Sequence, residues 1–190
     1  MPMKCETNLL QDLGEFNDFL KLIREQRVGS YLEIGSKHGG SFWRISNVLP
    51  KGSRVVSVDL PHGDGSFKDT EPNLRQCVSE LKNRGYDSHL FLTDSTDATT
   101  IESVKGLGPF DLVFLDGNHS DPFLRSDWLH YGSLATALVA FHDISWPPSK
   151  PPPKGMSCDV MGFWKNLKKD HKHVEFCRRR DECGIGVLWR

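Results

Sequence analysis

The segment YLEIGSKHGGSFW (residues 31–43) runs from an apolar stretch through an acidic residue into a cluster of glycines. Its first residues fit a strand that is buried on both faces, and Gly35 and Gly39 allow a tight turn at which the main chain comes close to a ligand. Residues 42–49 then show a helical pattern of apolar side chains. The segment therefore predicts a strand, a glycine turn and a helix, with a ligand at the turn.

Similar short apolar runs recur along the chain, separated by helical patterns. They are too continuous to alternate with polar residues, which favours buried strands in a mainly parallel sheet. The predicted strands are 30–34, 54–59, 89–94, 111–116 and 137–143, and the predicted helices are 8–27, 42–49, 74–81, 98–104 and 123–134. A further helix is predicted over 159–171, and 173–177 with 184–189 predict an antiparallel hairpin. This alternation predicts an α/β fold with helices on both faces of the sheet.

The bulk properties limit the class of protein. The 190 residues are expected to form one domain, 1–190, with an N-terminal helix within 1–28 and a proline-rich loop at 145–157. Since 24 Lys and Arg balance 25 Asp and Glu, no general attraction to nucleic acid or acidic membranes is expected. No apolar run approaches the roughly 20 residues that span a bilayer, and the first residues are too polar for a signal peptide. A cytoplasmic protein is expected, and its five scattered cysteines are expected to be free thiols.

The glycine loop lacks the known phosphate-binding patterns. Counted from Gly35, the dinucleotide fingerprint G-x-G-x-x-G needs a glycine where Lys37 stands. The nucleotide-hydrolase pattern G-x-x-x-x-G-K followed by Ser or Thr is also absent from the loop. The loop is therefore not expected to bind a diphosphate.

Acidic residues lie at the ends of the predicted strands. They are Glu33, Asp59, Asp94, Asp116 and Asp143. Because ligands of open α/β sheets bind beyond the carboxyl ends of the strands, these acids predict one crevice with an acidic rim. Such a crevice favours a cationic ligand that carries no phosphate.

Four regions, in order, carry a resemblance to a known family: LEIGSKHGGS (32–41), VVSVD (55–59), FLTDS (91–95), and DLVFLDGNHS with LVAFHD (111–120 and 138–143). The first resembles motif I of the class I S-adenosylmethionine-dependent methyltransferases. The last pair resembles the branch called methyltransferase domain family 24, which is related to macrocin O-methyltransferase and to cephalosporin-hydroxylase-like proteins. This resemblance implies a Rossmann-like, doubly wound sheet of seven strands in three αβα layers, mainly parallel, with an antiparallel C-terminal strand.

The resemblance also implies the cofactor, S-adenosylmethionine, and the residues that contact it. Asp59 would bind the ribose hydroxyls, and Asp94 and Ser95 would contact the adenine. The implied contacts are Glu33, Gly35, Ser36, Gly39, Ser41, Asp59, Asp94, Ser95 and Asp116. Carboxylates suit both a ribose diol and a nearby sulfonium.

A divalent metal ion is the second cofactor to consider. Asp116 ends the fourth predicted strand and His142 with Asp143 ends the fifth, and neighbouring strands lie about 4.8 Å apart, so the three side chains can converge on one ion. In several relatives the equivalent triad is wholly acidic and binds magnesium. His142 departs from that pattern, and imidazole suits manganese, iron or zinc better. The alternative is that His142 caps the strand end or hydrogen-bonds to Asp116.

His119, three residues after Asp116, is the predicted general base for the acceptor hydroxyl, and Asp116 completes the predicted catalytic pair. It is alternatively a fourth metal ligand or a loop histidine that donates to a backbone carbonyl.

These features predict a methyltransferase that acts on a hydroxyl of a small molecule, such as a sugar or a glycosylated metabolite. The alternatives are a catalytically silent module that binds the cofactor and a nicotinamide-dependent oxidoreductase, which Lys37 disfavours. Nucleic-acid methylation is disfavoured because no N/D-P-P-Y/F signature follows the fourth strand. Whether the chain forms a homo-oligomer is left open.

Overall fold

The computed structural model of the protein describes residues 4–62, 70–146, 157–178 and 183–190. Its strands are β1 Ser30–Ile34, β2 Arg54–Asp59, β3 Asp87–Leu92, β4 Phe110–Leu115, β5 Ala135–His142, β6 His173–Phe176 and β7 Ile185–Trp189. Its α-helices are α1 Lys4–Thr7, α2 Leu13–Glu25, α3 Gly40–Ser46, α4 Thr70–Asn83, α5 Ala98–Lys105, α6 Asp121–His130 and α7 Val160–Leu167. Two short 3₁₀ turns lie at Gly132–Leu134 and Lys168–Asp170.

The described strands form one sheet in the order β3-β2-β1-β4-β5-β7-β6. The first five strands pair in parallel, and β7 pairs antiparallel with both β5 and β6. This confirms the predicted doubly wound sheet with an antiparallel C-terminal strand. The strand order reverses between β1 and β4, which is where a ligand crevice opens in such sheets.

The continuous apolar runs are explained by burial on both faces of the sheet. Successive residues of each central strand belong to different apolar clusters: Tyr31, Val55, Leu112 and Leu138 to one, and Leu32, Val56, Val113 and Val139 to the other. Helices α2, α3 and α4 supply apolar residues to the first cluster, and α5, α6 and α7 supply them to the second. The helices on both faces make the three predicted layers.

The N-terminal region differs from the predicted helix at 8–27. Helix α2 begins only at Leu13, because the Asp12 carboxylate accepts hydrogen bonds from the backbone N–H groups of Gly14 (2.8 Å) and Glu15 (3.1 Å). Residues 8–11 are therefore not helical, and the short helix α1 precedes them. Of the predicted proline-rich loop at 145–157, residues 147–156 lie outside the described residues.

The glycine loop fits closely against the end of β4. Gly35 has a φ of +89°, and a Cβ at this position would lie 2.2 Å from the backbone oxygen of Asp116. Gly39, with a φ of +82°, is the N-cap of α3. Glycine is thus needed at position 35 both for the backbone conformation and for the close approach.

We expect Gly35→Ala to destabilise the protein by about 3 kcal/mol or more, since a strained φ and a steric overlap with backbone act together. Gly85→Ala is the matched control, because Gly85 has a φ of +88° with nothing within 4 Å of its Cβ position. It is expected to cost only about 1–2 kcal/mol. Urea unfolding of both variants measures the difference, and equal losses would contradict the proposed overlap.

Candidate active site

A cavity of about 270 Å³ lies beyond the carboxyl ends of β1, β2 and β4. Its lining includes Gly35, Asp59, Asp94, Ser95, Asp116, His119 and Asp143 from the predicted site. A second cavity, of about 230 Å³, is lined by Gly35, Ser36, Ser41, Asp116, His119, His142 and Asp143 together with residues of the N-terminal segment. The two cavities share Gly35, Lys37, Asp116, His119, Asp143 and Trp146, so they meet at this set of residues.

Asp59 ends β2 and lines the first cavity, as predicted. Its carboxylate accepts hydrogen bonds from the backbone N–H groups of Lys37 and Leu60, the latter at 2.7 Å. Burial raises the pKa of Asp59, and these N–H groups oppose that rise. The hydrogen bonds bind the glycine loop to the end of β2 and fix the orientation of the carboxylate.

Asp94 and Ser95 lie two to three residues past the end of β3, in a turn that also lines the first cavity. The turn is attached to α6, because the Ser95 hydroxyl donates to Asp127 (2.8 Å) and the Tyr131 hydroxyl donates to the Ser95 carbonyl (2.6 Å). Asp127 is 2% exposed, and burial raises its pKa to about 7. Hydrogen bonds with α6 and with Tyr131, the residue that follows it, therefore fix the turn that carries the predicted adenine contacts.

The structure corrects the expectation that Glu33 lines the crevice. Glu33 is fully buried and belongs to neither cavity lining. Its carboxylate accepts hydrogen bonds from the hydroxyls of Tyr31 (2.5 Å) and Ser41. Burial raises the pKa of Glu33 to about 8, although both hydroxyls act to lower it. Gly39 also lies outside both linings and packs against Cys77.

The N-terminal segment closes one side of the second cavity with Asn8, Leu10 and Gln11. The Gln11 amide donates to Asp116 Oδ2 at 2.6 Å. The segment crosses the start of α3 so closely that a Cβ at Gly40 would lie 1.8 Å from the Asn8 carbonyl oxygen. Gln11 was not predicted as a site residue, because the sequence pattern placed it in a helix.

A compact polar cluster stands where the two cavities meet. His119 lies between two carboxylates, with Nε2 at 3.2 Å from Asp116 Oδ1 and Nδ1 at 3.1 Å from Asp143 Oδ2. His142 Nδ1 also faces both, at 3.1 Å from Asp116 Oδ1 and 3.3 Å from Asp143 Oδ1. Each of the two histidines therefore lies beside both carboxylates.

The cluster contains two carboxylates and two imidazoles, and its charges balance when both rings are doubly protonated. Burial alone would lower the pKa of His119 and of His142, but Asp116 and Asp143 raise both well above the usual range. Burial would likewise raise the pKa of Asp116, but His142 and His119 hold it well below its usual range. Each ring nitrogen of His119 faces a carboxylate. Both nitrogens can donate an N–H to these carboxylates only when the ring is doubly protonated.

A family model for a methyltransferase domain, family 24 of that name, matches residues 32–144, more than half of the chain. The chain belongs to this methyltransferase family. None of the curated proteins with which the sequence was compared matches it significantly.

Solved structures share the fold of this methyltransferase domain. The O-methyltransferase TomG from Streptomyces achromogenes, in complex with SAM, aligns with a TM-score of 0.67 at 17% identity, over 98% of this chain and 86% of that one. A putative caffeoyl-CoA O-methyltransferase from Staphylococcus aureus aligns with a TM-score of 0.70 at 14% identity, over 97% and 86%. An O-methyltransferase from Bacillus cereus, in complex with SAH, gives 0.64 at 14% identity, over 96% and 84%.

The cavity linings of the methyltransferase also contain residues that were not predicted, among them an aromatic residue and two cysteines. Phe123 and Cys158 line the first cavity, and Cys183 lines the second. No local motif marks the two cysteines, since each reaches the site from a loop far along the chain. In the described ranges, no helix combines the length and the apolar composition needed to cross a bilayer.

The raised pKa of Glu33 predicts a stability that falls with increasing pH. The unfolded side chain gives up its proton near pH 4.5, whereas the folded one keeps it to about pH 8. Stability is therefore lost as the pH rises through this interval. Relative to Glu33→Gln, we expect the free energy of unfolding of the wild type to fall by on the order of 4 kcal/mol between about pH 5 and about pH 9.

Urea unfolding at both pH values tests this. Glu102→Gln is the control, since the side chain of Glu102 is 72% exposed. A difference between wild type and Glu33→Gln that stays constant with pH would refute the assignment.

Proposed function

We propose that the protein transfers the methyl group of S-adenosylmethionine to a hydroxyl of a small molecule, a sugar or a glycosylated metabolite. The observation that carries the proposal is the joint placement of Asp59 and Asp116 on one cavity beside a glycine loop that lacks the dinucleotide pattern. Membership of the methyltransferase family supports it, as do the SAM and SAH complexes of the structural neighbours.

The residues of the first cavity fit this cofactor. Asp59 offers carboxylate oxygens suited to a ribose diol. Leu60 and Phe123, which are 42% and 37% exposed, provide apolar surface in the same cavity, while Asp94 and Ser95 supply polar groups. An adenine needs this combination of an apolar face and a few polar contacts. When bound, the cofactor supplies a methyl group on a positively charged sulfur.

His119 is proposed to take the proton of the acceptor hydroxyl. It lines both cavities, so it is accessible from the cofactor side and from the N-terminal side. Asp116 and Asp143 hold its two ring nitrogens and so fix the plane of the imidazole. Because Asp116 and Asp143 raise the pKa of His119, the ring accepts this proton only after it has released one of its own to solvent through either cavity.

A divalent metal ion held by His142 and Asp143 remains part of the proposal, whereas Asp116, the third ligand predicted from sequence, does not group with both of them. The fit rests on His142, whose Nε2 is buried without a hydrogen-bond partner among the described residues while Nδ1 faces carboxylates. A bound ion would lower the pKa of a coordinated hydroxyl. A cytoplasmic location, the absence of nucleic-acid partners and the oligomeric state stay predictions.

Calorimetric titration tests the cofactor. We expect S-adenosylmethionine to bind the wild type and to bind Asp59→Ala about 10 to 100 times more weakly, because a charge-assisted hydrogen bond is lost. Asp87→Ala is the control, since Asp87 pairs with Arg54 at the opposite end of β2 and β3. Binding of a nicotinamide dinucleotide in place of S-adenosylmethionine would support the oxidoreductase instead.

Turnover is measured as S-adenosylhomocysteine formed with a panel of sugars and glycosylated metabolites. For His119→Ala we expect a loss of about 100-fold or more in turnover with cofactor affinity kept, because general bases contribute that much. His62→Ala, with a side chain 92% exposed, is the control. An unchanged rate would remove His119 from the mechanism, and binding without turnover on any acceptor would support the silent module.

A further inference from the structure

Six side chains with metal-ligating atoms meet at the boundary of the two cavities: Asp116, His119, His142, Asp143, Cys158 and Cys183. Their ligand atoms form three overlapping triads, each with all distances within 4.8 Å. Asp116 groups with His119 and His142, whereas Asp143 groups either with His119 and Cys158 or with His142 and Cys183. The triad predicted from sequence is therefore divided, and each triad that contains Asp143 also contains a thiol.

The two ring nitrogens of His142 differ in their surroundings. Its Nδ1 faces the carboxylates of Asp116 (3.1 Å) and Asp143 (3.3 Å). The Nε2 atom is buried and has no hydrogen-bond partner within the described residues, and the side chain is 8% exposed. Metal-binding histidines commonly donate one ring N–H to a carboxylate and present the other nitrogen to the ion. A buried nitrogen with no partner otherwise carries the cost of its lost hydration.

Cys183 is held beside His142 by its backbone. It has a φ of +52°, a conformation that is unfavourable for a residue with a side chain. Its carbonyl accepts a hydrogen bond from Ser145 N–H (2.9 Å), and the next residue, Gly184, donates to the buried Glu15 carboxylate (3.0 Å). Contacts with the end of β5 and with α2 thus maintain the strained conformation that places the thiol on the second cavity.

The donor types decide the class of ion. One imidazole, one carboxylate and one thiol form a set that suits zinc or another late transition metal, because thiolate is a soft ligand and magnesium prefers oxygen. We propose that His142, Asp143 and Cys183 bind a divalent ion of the zinc class, with a direct bond from the Cys183 thiolate. Three protein ligands would leave a fourth coordination position for water or substrate. The role of the ion in catalysis rests on the proposed function, but its binding does not.

Cobalt substitution tests the site in the wild-type protein without any variant. The reduced full-length chain is titrated with Co²⁺ and its absorption spectrum is recorded. We expect a thiolate-to-cobalt charge-transfer band in the near ultraviolet that reaches a plateau at one equivalent and is abolished by Zn²⁺ but not by a large excess of Mg²⁺. The absence of the band, or its removal by Mg²⁺, would overturn the proposal.

Matched cysteine variants identify the ligand. We expect Cys183→Ser to weaken Zn²⁺ binding by more than about 100-fold, since a direct ligand is lost. Cys158→Ser and Cys177→Ser should keep the cobalt band, because neither residue belongs to the proposed triad. Loss of the band in Cys158→Ser with retention in Cys183→Ser would overturn the assignment of Cys183.

S-adenosylmethionine titration of the same proteins separates the two proposals. Metal binding without cofactor binding would refute the proposed function and leave the metal site. Cofactor binding without the cobalt band would refute the metal site and leave the function.

Discussion

The close approach of the glycine loop to the end of β4 is the constraint on which the site depends. Gly35 lies against the Asp116 carbonyl with no room for a side chain, and backbone hydrogen bonds of 2.9 Å bind this region to β2 and join β1 to β4. Because the backbone of Asp116 is fixed there, its carboxylate reaches both cavities. Gln11, His119 and His142 all contact that carboxylate. The N-terminal segment, the loop after β4 and the end of β5 therefore meet at Asp116.

The fold follows from the sequence because its central strands are buried on both faces. Short continuous apolar runs fit strands that are buried on both faces of a sheet. Helical patterns between such runs predict helices that connect parallel strands across the sheet. The sequence predicts where along a strand a residue lies more readily than it predicts the direction in which the side chain points. Glu33 shares a face with Tyr31, two residues earlier, and its carboxylate is therefore directed into the layer beside α3 and not beyond the sheet edge. Asp59 and Asp116 face the crevice because they stand at or after the last strand residue.

The remaining site residues could not be predicted, because their positions depend on tertiary paths that no local pattern encodes. Gln11 reaches Asp116 only because Asp12 delays the start of α2 and because Gly40 lets the segment cross α3. Cys158 and Cys183 follow stretches with no strong periodicity, and their spacing matches no metal-binding motif. Scattered cysteines predict free thiols from the sequence alone, whereas the fold brings these two close to the histidines.

Backbone strain is concentrated at the same place. Of the four non-glycine residues with positive φ in the described part of the chain, Lys37, Asp143 and Cys183 line the second cavity. Each such conformation costs on the order of 1–2 kcal/mol and persists only where neighbouring contacts enforce it. Such contacts are present: the Lys37 N–H donates a hydrogen bond to Asp59, and the Cys183 carbonyl accepts one from the N–H of Ser145, which follows β5. The two apolar clusters on the faces of the sheet stabilise the fold, so the chain can hold three residues in unfavourable conformations around one cavity. Fixed conformations at these residues favour a precise arrangement of donor atoms in the cavity.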